Sequence, residues 1–223
     1  MQNAAMLWTG GKDSALALYE AGQNDYRICC LATFAPSEPN FLAHPLAFIK
    51  VQAQALALPH YVLPIQRPFE KSYETGLCGL RDKMGVNAVI TGDIAEVAGN
   101  SNWIRERGRV IGMTVHTPLW GRDRLTLLRQ LLENGFSAIF SCVNLRWLGE
   151  NWIGRELTDT AIADLCRVRD RTGLDLCGEE GEYHTLITDG PRFKHRIGVR
   201  FGVKRARDSL AHLEIQGLSL MEK

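Results

Sequence analysis

The stretch Met-Leu-Trp-Thr-Gly-Gly-Lys-Asp-Ser at residues 6–14 constrains the fold of this chain more than any other. The apolar residues 4–8 predict a buried strand, and residues 13–21 predict a helix that Gly22 ends. Gly10 and Gly11 let the backbone pass close to a bound anion, because glycine carries no Cβ. The first N–H groups of the helix then point at that anion, where the helix dipole favours negative charge. The stretch therefore predicts a phosphate-binding loop.

Charged and hydroxyl side chains in this loop refine the prediction. Lys12 adds a mobile positive charge, and Thr9 and Ser14 add hydroxyl groups. The spacing differs from the G-x-x-x-x-G-K-[ST] loop of the common nucleotide triphosphatases, because the residues that separate the glycines there are missing here. Asp13 would repel a phosphate unless a cation intervened, so it predicts a Mg²⁺ ion shared with the pyrophosphate group. The alternative is a plain strand-to-helix turn, which the order of strand, glycines, lysine, acid and helix disfavours.

The composition is that of an ordinary soluble globular protein and excludes several classes. The 223 residues are 45% hydrophobic and 23% charged, with a formal net charge of +1, so no strong attraction to bulk nucleic acid is expected. No apolar run reaches the length of a membrane span. The first strand leaves no room for a cleavable signal, so we expect a cytoplasmic protein. The six cysteines form no C-x-x-C pair, which favours reduced core thiols over disulfides or zinc.

Strand and helix patterns alternate along the first half of the chain. They predict strands at residues 27–34, 61–65, 88–91 and 115–119. They also predict a helix from residue 46 up to Pro59 and a helix over residues 69–84 that Gly85 ends. This alternation predicts a parallel sheet with helices on both faces. Ligands bind such sheets beyond the carboxyl ends of the strands. Thr33, Phe34, Gly92 and Asp93 are therefore expected at one edge of the sheet with residues 9–14.

The character of the chain changes after a polar segment at residues 96–112. This segment predicts either an exposed charged helix capped near Asn100 or Ser101, or a mobile flap that faces the substrate. From residue 123 the pattern predicts an amphipathic helix that begins at Leu125 and ends near Gly135, and a second helix that Thr158 caps and Gly173 ends. A strand at residues 137–143 and an irregular loop at residues 144–155 lie between the two helices. Strands are predicted at residues 185–188, 196–203 and 211–216. We therefore place a domain boundary near residue 122.

A second motif, Cys-Gly-Glu-Glu-Gly-Glu-Tyr-His-Thr, occupies residues 177–185. Glu179, Glu180 and Glu182 are closely spaced between glycines and would repel one another, so a metal, an arginine or a substrate amine is expected near them. A solvated acidic turn is the simpler alternative. The position of the motif directly before a predicted strand, next to Tyr183 and His184, favours a functional role.

Three segments together show a family resemblance. TGGKDS resembles the pyrophosphatase loop, usually SGGKDS, of enzymes that split ATP between the α- and β-phosphates, and Thr9 keeps the hydroxyl of the usual serine. With GVNAVITGDI at residues 85–94 and GEEGEYHTLITDGP at residues 178–191, this loop is similar to the diphthine–ammonia ligase family in order and spacing over nearly the whole chain. Glu180 replaces the usual glycine, and His184 stands where Glu is common. Both departures fall in the expected acceptor pocket.

The resemblance implies an α/β protein with two domains. Residues 1–122 would form a HUP-type, Rossmann-like ATP-binding domain, and residues 123–223 a smaller α+β domain that binds the acceptor. The implied reaction is ATP-dependent amide formation, in which a carboxylate attacks the α-phosphorus and ammonia then displaces AMP. The implied cofactors are ATP and Mg²⁺. The acceptor is left open between diphthine on a translation elongation factor and a small carboxylate, and the oligomeric state, a homodimer included, is left open too.

Roles for individual residues follow as hypotheses. The ATP-binding residues would be Thr9, Gly10, Gly11, Lys12, Asp13, Ser14, Thr33, Phe34, Gly92 and Asp93. Among these, Lys12 would offset charge on the departing pyrophosphate and Asp13 would hold Mg²⁺, while Thr33 and Phe34 would meet adenine and Asp93 the ribose or a second metal contact. The acceptor-binding residues would be Glu179, Glu180, Gly181, Glu182, Tyr183, His184 and Thr185. Glu179 and Glu182 would position ammonium and take its proton.

Two rival functions remain open from the sequence. A tRNA-modifying ATP pyrophosphatase would share the loop and would need a basic, aromatic surface, for which Trp103 and the arginines at residues 105–109 are candidates. A non-catalytic adenine-nucleotide sensor would also share the loop, but it gives no reason for the glutamates of the second motif. Nucleic acid is an unexpected partner on charge alone.

Overall fold

Strand β1 (Gln2–Leu7) leads into the glycine pair and helix α1 (Lys12–Ala21), as predicted. It belongs to a parallel sheet with β2 (Tyr26–Ala35), β3 (His60–Pro64), β4 (Ala88–Ile90) and β5 (Thr114–His116). The strand order in this sheet is β3-β2-β1-β4-β5. The predicted parallel α/β sheet is therefore confirmed. β5 is shorter than predicted, because residues 118–121 form a turn.

The computed structural model describes residues 1–96, 102–202, 204–207 and 209–223. These residues divide into two compact units. The first unit comprises Met1–Thr9, Asp13–Asn40 and Leu58–Trp120, and the second unit comprises Gly10–Lys12, Phe41–Ala57 and Gly121–Lys223. The phosphate-binding loop at residues 9–14 thus contributes residues to both units. The single domain boundary near residue 122 stays a prediction.

In the first unit, helix α3 (Phe69–Met84) packs its apolar stripe into a buried cluster. Leu77 and Leu80 of the helix join Ala5, Cys30, Ala32, Val86, Val89 and Met113 in this cluster. Gly85 ends the helix in the left-handed conformation, with φ at 62°, as the sequence predicts. The same apolar spacing that predicts the helix thus also identifies the face that it buries.

Helix α4 (Trp103–Val110) lies within the segment for which the sequence left a helix and a flap open. Its N-cap is Asn102, whose side chain accepts a hydrogen bond from the Arg105 N–H at 3.0 Å. The predicted caps Asn100 and Ser101 lie outside the described residues. The helix is observed, and a lid function for it stays a prediction.

The helices of the second unit begin and end at recognisable signals. They are α2 (Leu46–Leu56), α5 (Arg124–Glu133) and α6 (Asp159–Thr172). Asp123 and Thr158 cap α5 and α6 by accepting backbone N–H groups, and Gly173 ends α6 in the left-handed conformation. α2 ends before Pro59, with Ala57 left-handed at φ 53°.

Two antiparallel sheets complete the second unit. The first has the order β7-β6-β10-β9, with β6 (Ser137–Asn144), β7 (Tyr183–Asp189), β9 (Arg205–Arg207) and β10 (Leu210–His212). The second pairs β8 (Arg196–Phe201) with β11 (Ile215–Met221). A short 3₁₀ turn, Glu150–Trp152, interrupts the loop after β6. The α+β character of this part is as predicted.

The prediction of one strand over residues 211–216 is wrong. β10 ends at His212 and pairs with β6, whereas β11 begins at Ile215 and pairs with β8. Alternating apolar residues continue through the break at Leu213, so the periodicity by itself predicts one continuous strand. The pairing partners, which are distant in sequence, decide where the strand is broken.

The six cysteines are all free thiols, as the sequence indicates. Burial, with a contribution from Cys29, raises the pKa of Cys30 to about 11, and burial raises the pKa of Cys142 to about 11. Both thiols are therefore protonated at neutral pH. Among the described helices, none combines the length and the apolar character that crossing a bilayer requires.

Candidate functional site

The ends of the phosphate-binding loop lie in the first unit. The Thr9 hydroxyl donates to Ser14 Oγ at 3.2 Å, and Ser14 is buried. A Cβ added at Gly92 would lie 2.7 Å from the backbone carbon of Asp13 and from the Ser14 nitrogen. Only glycine fits at that approach. The end of β4 therefore lies against the start of α1, and the structure brings these predicted site residues together.

The residues predicted to meet adenine and ribose also lie in the first unit. Thr33 Oγ1 donates to the Trp8 carbonyl at 2.6 Å and lies 2.9 Å from His60 Nε2. Because the hydroxyl proton is used on Trp8, His60 is the donor in the second contact. Phe34 is the next-to-last residue of β2, where it pairs with Leu63 of β3. Asp93 accepts a hydrogen bond from the Asn102 side chain at 3.2 Å.

Phe34 is part of an aromatic cluster. Its ring stacks on Tyr73 with centroids 3.8 Å apart, and Tyr73 meets Trp103 edge-on at 4.5 Å. Burial raises the pKa of Tyr73, and the nearby Asp93 carboxylate adds to this effect. A cavity of about 790 Å³ is lined by Tyr73 and Trp103 together with Pro36, Ile65, Phe69, Glu70 and Glu106. It is large enough for a purine-sized ligand.

The middle of the phosphate-binding loop belongs to the second unit, where β7 holds it. Gly10 has φ at 84°, a conformation that favours glycine. The Gly10 carbonyl accepts from the Ile187 N–H at 3.1 Å. The Lys12 N–H donates to the Thr185 hydroxyl oxygen at 3.1 Å. The loop is therefore aligned along the strand that begins within the second motif.

The Lys12 side chain is directed into the second motif. Lys12 is only 3% exposed, and its ammonium group donates a hydrogen bond to the Cys177 carbonyl. The ammonium nitrogen also lies 5.1 Å from the centroid of the Tyr183 ring, within range of a cation–π interaction. The Tyr183 hydroxyl donates to the Leu176 carbonyl at 2.5 Å. One residue of the first motif thus contacts both ends of the second.

Glu182 holds the turn of the second motif in shape. Its side chain is 2% exposed, and its two carboxylate oxygens accept the N–H groups of Asp175 at 2.9 Å and Glu180 at 3.0 Å. Gly178 and Gly181 adopt φ values of 74° and 84° in the same turn. The buried charge is therefore stabilised by backbone donors. Glu179 is half-buried and Glu180 is exposed.

Two histidines lie close together beside the motif. His44 Nε2 donates to the Thr185 carbonyl at 3.1 Å, and the His44 and His184 rings meet edge-on at 5.2 Å. Burial lowers the pKa of His44 to about 3, and the adjacent His184 contributes. Burial, together with the charge of Lys12, lowers the pKa of His184 to about 4. Both imidazoles are therefore neutral at physiological pH.

A cavity of about 720 Å³ lies beside the acidic turn in the second unit. Glu180 and Glu182 line it, and so do the side chains of Arg122, Asp123, Arg124, Trp147, Arg169 and Asp175. Arg124 donates to the Asp175 carboxylate at 3.0 Å. Arginines, one of the cations that the sequence predicts near the glutamates, therefore line the same cavity.

The described residues contain no group of three or more His, Cys, Asp or Glu side chains arranged to hold a metal. Mg²⁺ is commonly held by one or two carboxylates together with substrate phosphates, so such a group is not required. Asp13, with the hydroxyls of Thr9 and Ser14 nearby in the loop, is a donor set that suits this hard cation. Asp13 as a Mg²⁺ ligand stays a prediction.

Two functional candidates escape the sequence reasoning. His44 lies in a segment that reads only as a loop, and Gln52 reads only as one polar residue of α2. Yet Gln52 is fully buried and binds Gly10. The sequence does contain one signal for Gln52, because helical spacing places this glutamine on the apolar face of the helix. No local signal marks His44.

The fold and these contacts define a class of nucleotide-binding protein. A glycine pair between the first strand of a parallel sheet and a helix, with a buried lysine, is the arrangement of α/β proteins that bind nucleotide phosphates. Two family models match the chain, namely the diphthamide synthase N-terminal domain over residues 1–115 and the diphthamide synthase C-terminal domain over residues 123–220. The chain belongs to the diphthamide synthase family, and it is an enzyme of the ATP-dependent ligase class.

Curated relatives agree with the family. The chain is 27% identical to a mouse protein named diphthine–ammonia ligase, over 98% of this chain and 92% of that protein. It is also 27% identical to the rat protein of that name, again over 98% of this chain and 92% of the relative. Among solved structures, it resembles one described as a predicted subunit of tRNA methyltransferase from Methanocaldococcus jannaschii, with a TM-score of 0.49, 17% identity, and coverage of 86% of this chain and 98% of that chain.

Proposed function

We propose that this chain adenylates a carboxylate with ATP, releases pyrophosphate, and forms an amide as ammonia displaces AMP. The observation that carries this proposal is the contact of Lys12 with the second motif, through its backbone N–H to Thr185 and its ammonium group to Cys177. A residue of the phosphate-binding loop is thereby tied to the segment expected to bind the acceptor. Such a link suits a reaction in which the nucleotide and the acceptor must meet.

The phosphate-binding loop would hold the outer phosphates of ATP. Gly10, Gly11 and the N–H groups up to Ser14 would bind the β- and γ-phosphates at the start of α1, where the helix dipole favours negative charge. Lys12 would offset the charge that develops on the departing pyrophosphate. A preorganised charge of this kind is worth ~3 kcal/mol or more in the transition state. Asp13 would hold Mg²⁺, which would neutralise part of the phosphate charge when bound.

The adenosine part of ATP would lie at the ends of β2 and β4. Thr33 and Phe34 would contact adenine, near a cavity of about 790 Å³ that the aromatic side chains of Tyr73 and Trp103 line. Asp93 and Gly92 would lie beside the ribose or the phosphates. The tight fit of Gly92 against the loop supports this placement, since a larger residue would displace the loop itself.

The acceptor and ammonia would bind at the second motif, which comprises Glu179 to Thr185. Because the carboxylate of Glu182 is engaged by two backbone N–H groups, its role would be to shape the turn and supply negative charge. We assign the proton-accepting role to Glu179, which is half-buried. The neutral His184 and the hydroxyls of Tyr183 and Thr185 would orient the acceptor. The acceptor would be diphthine on an elongation factor or a smaller carboxylate.

The products of ATP distinguish this proposal from other ATP chemistry. The purified enzyme would be incubated with ATP, ammonium and either a diphthine-bearing elongation factor or a panel of small carboxylates, and nucleotides would be separated by ion-exchange chromatography. We expect AMP and pyrophosphate in equal amounts, dependent on an acceptor. Formation of ADP, or AMP release that ammonium and every acceptor leave unchanged, would contradict the proposal.

The arginine-rich helix α4 does not favour the tRNA-modifying alternative. Arg105 stacks over the Trp120 ring at 4.9 Å and donates to the Thr117 hydroxyl. Arg107 is paired with Glu74 at 2.8 Å. These guanidinium groups are engaged within the first unit, so they offer less free positive charge for an RNA backbone than the sequence suggests.

A further inference from the structure

Gln52 is a fully buried polar residue of α2, and both hydrogens of its amide are in use. Gln52 is 0% exposed. Its Nε2 donates to the Gly10 carbonyl at 2.9 Å and to the Ile187 carbonyl at 2.8 Å. We propose that Gln52 is a positioning residue that sets the orientation of the phosphate-binding loop for the triphosphate of ATP. This inference rests on the proposed function and adds a residue that acts through the loop.

The peptide plane between Gly10 and Gly11 explains how Gln52 could affect phosphate binding without touching the phosphates. A trans peptide is planar, so its C=O and N–H groups point in opposite directions. The Gly10 carbonyl is fixed on one side by Gln52 Nε2 and the Ile187 N–H. The same two hydrogen bonds therefore fix the plane of this peptide. Fixing the plane orients the loop backbone that would surround the phosphates.

The fit between Gly10 and Gln52 is tight. A Cβ added at Gly10 would lie 2.5 Å from Gln52 Oε1, and Gly10 has φ at 84°. The loop therefore needs glycine at this position for two reasons, its backbone conformation and the presence of the Gln52 amide. The Gln52 amide lies directly against the backbone that it orients, so no other side chain intervenes in this contact.

Loss of the amide should affect the triphosphate selectively. In Gln52→Leu the Gly10 carbonyl keeps only the Ile187 N–H, and the peptide plane gains freedom to rotate. The substitution removes one of the two hydrogen bonds that orient this plane. The loss of one hydrogen bond corresponds to about a tenfold change in affinity, so we expect ATP to bind about tenfold more weakly. AMP lacks the β- and γ-phosphates and should bind within about twofold of its normal affinity. Gln52→Glu should be worse for ATP, since a carboxylate would face two carbonyl oxygens and repel the phosphates.

The experiment compares ATP and AMP binding by titration calorimetry in the wild type, Gln52→Leu, Gln52→Glu and Gln54→Leu. Gln54 is the matched control because it is an exposed glutamine on the same helix. We expect a selective loss of ATP affinity in both Gln52 variants and normal binding in the control, with a raised KM for ATP and a smaller change in kcat. Gln52→Asn, whose shorter amide does not reach the loop, should show the same selective loss and replaces Gln52→Leu if that variant does not fold.

Two results would overturn the inference while leaving the proposed function intact. ATP affinity within twofold of the wild type in folded Gln52 variants would show that the contact does not orient the loop. Equal losses for ATP and AMP would show a general structural role. A different result would count against the proposed function itself, namely a wild-type enzyme that binds ATP no more tightly than AMP and releases no pyrophosphate.

Discussion

Replacing Glu182 by Gln should weaken the turn that precedes β7. The carboxylate accepts N–H groups at 2.9 and 3.0 Å in a side chain that is 2% exposed. An amide has one oxygen, so one of the two N–H groups would lose its acceptor and face an NH₂ group. The substitution therefore removes one charge-assisted hydrogen bond and leaves a buried donor without a partner.

Glu182→Gln replaces one atom, yet we expect a large decrease in the free energy of unfolding. A hydrogen bond to a charged group contributes ~1.5–3 kcal/mol, and a buried unsatisfied donor costs ~1–3 kcal/mol. Since the two figures describe overlapping parts of one loss, we expect the free energy of unfolding to fall by ~3 kcal/mol. For a slope of ~1–3 kcal/mol per molar urea, the unfolding midpoint should decrease by about 1 M or more.

The assay is urea unfolding followed by tryptophan fluorescence, because Trp147 lines the same cavity as Glu182. Glu180→Gln is the control, since Glu180 is an exposed glutamate of the same turn. Its midpoint should stay within about 0.5 M of the wild type, because an exposed substitution changes the free energy of unfolding by less than ~0.5 kcal/mol. Equal midpoints for Glu182→Gln and Glu180→Gln would refute the structural role of the Glu182 carboxylate.

Three further changes test other parts of the structure. Lys12→Met keeps the buried stem of the side chain and removes its charge, so the rate of pyrophosphate release should fall at least about a hundredfold. The control Lys50→Met changes an exposed lysine and should release pyrophosphate as fast as the wild type. Equal rates for Lys12→Met and Lys50→Met would contradict the role of Lys12. Gly92→Ala would place its Cβ 2.7 Å from the backbone of the phosphate-binding loop and should abolish ATP binding in a titration. The control is Gly79→Ala in α3, where an added Cβ would have no atom within 4 Å. This control should bind ATP normally, and its free energy of unfolding should rise by ~0.5–1 kcal/mol. Burial lowers the pKa of His44 from 6.5 to about 3, so over that range the unfolded chain binds a proton that the folded chain does not, and stability should fall with decreasing pH by up to ~1.4 kcal/mol per pH unit. His44→Gln should have a flatter dependence of Tm on pH between 7 and 4.5, and an unchanged slope would show that this histidine does not titrate as proposed.

Features encoded by neighbouring residues were predictable from the sequence. The strand, glycine pair and helix at residues 2–21 were recognised because buried strands and helix starts leave a local pattern. The cap Thr158 and the terminal Gly85 are predictable for the same reason, since a cap satisfies backbone groups within a few residues. The cap Asp123 is seen only in the structure.

Features that depend on distant residues were not predictable. Helix α2 was expected from its spacing, yet its grouping with the second unit rests on contacts such as that of Gln52 with Ile187, which are far apart in sequence. The break at Leu213 between β10 and β11 likewise follows from two different pairing partners. The contacts of Glu182 are different, because the two N–H groups that occupy its oxygens belong to nearby residues, Asp175 and Glu180. The irregular turn that brings them to the carboxylate leaves no periodic pattern in the sequence, so the sequence indicates only a candidate base.

The contacts of Lys12 imply that phosphate binding and the second motif are energetically linked. The Lys12 N–H donates to Thr185, and its ammonium group donates to Cys177. A single N–H serves one acceptor well, so a phosphate that uses the Lys12 N–H must compete with the Thr185 hydroxyl. The ammonium group has three protons and can keep one carbonyl while it binds a phosphate oxygen. If the loop binds ATP as proposed, the phosphates gain the Lys12 N–H only when β7 releases it. A ligand that draws Thr185 away from Lys12 should then strengthen ATP binding, and ATP should strengthen the binding of that ligand by the same factor.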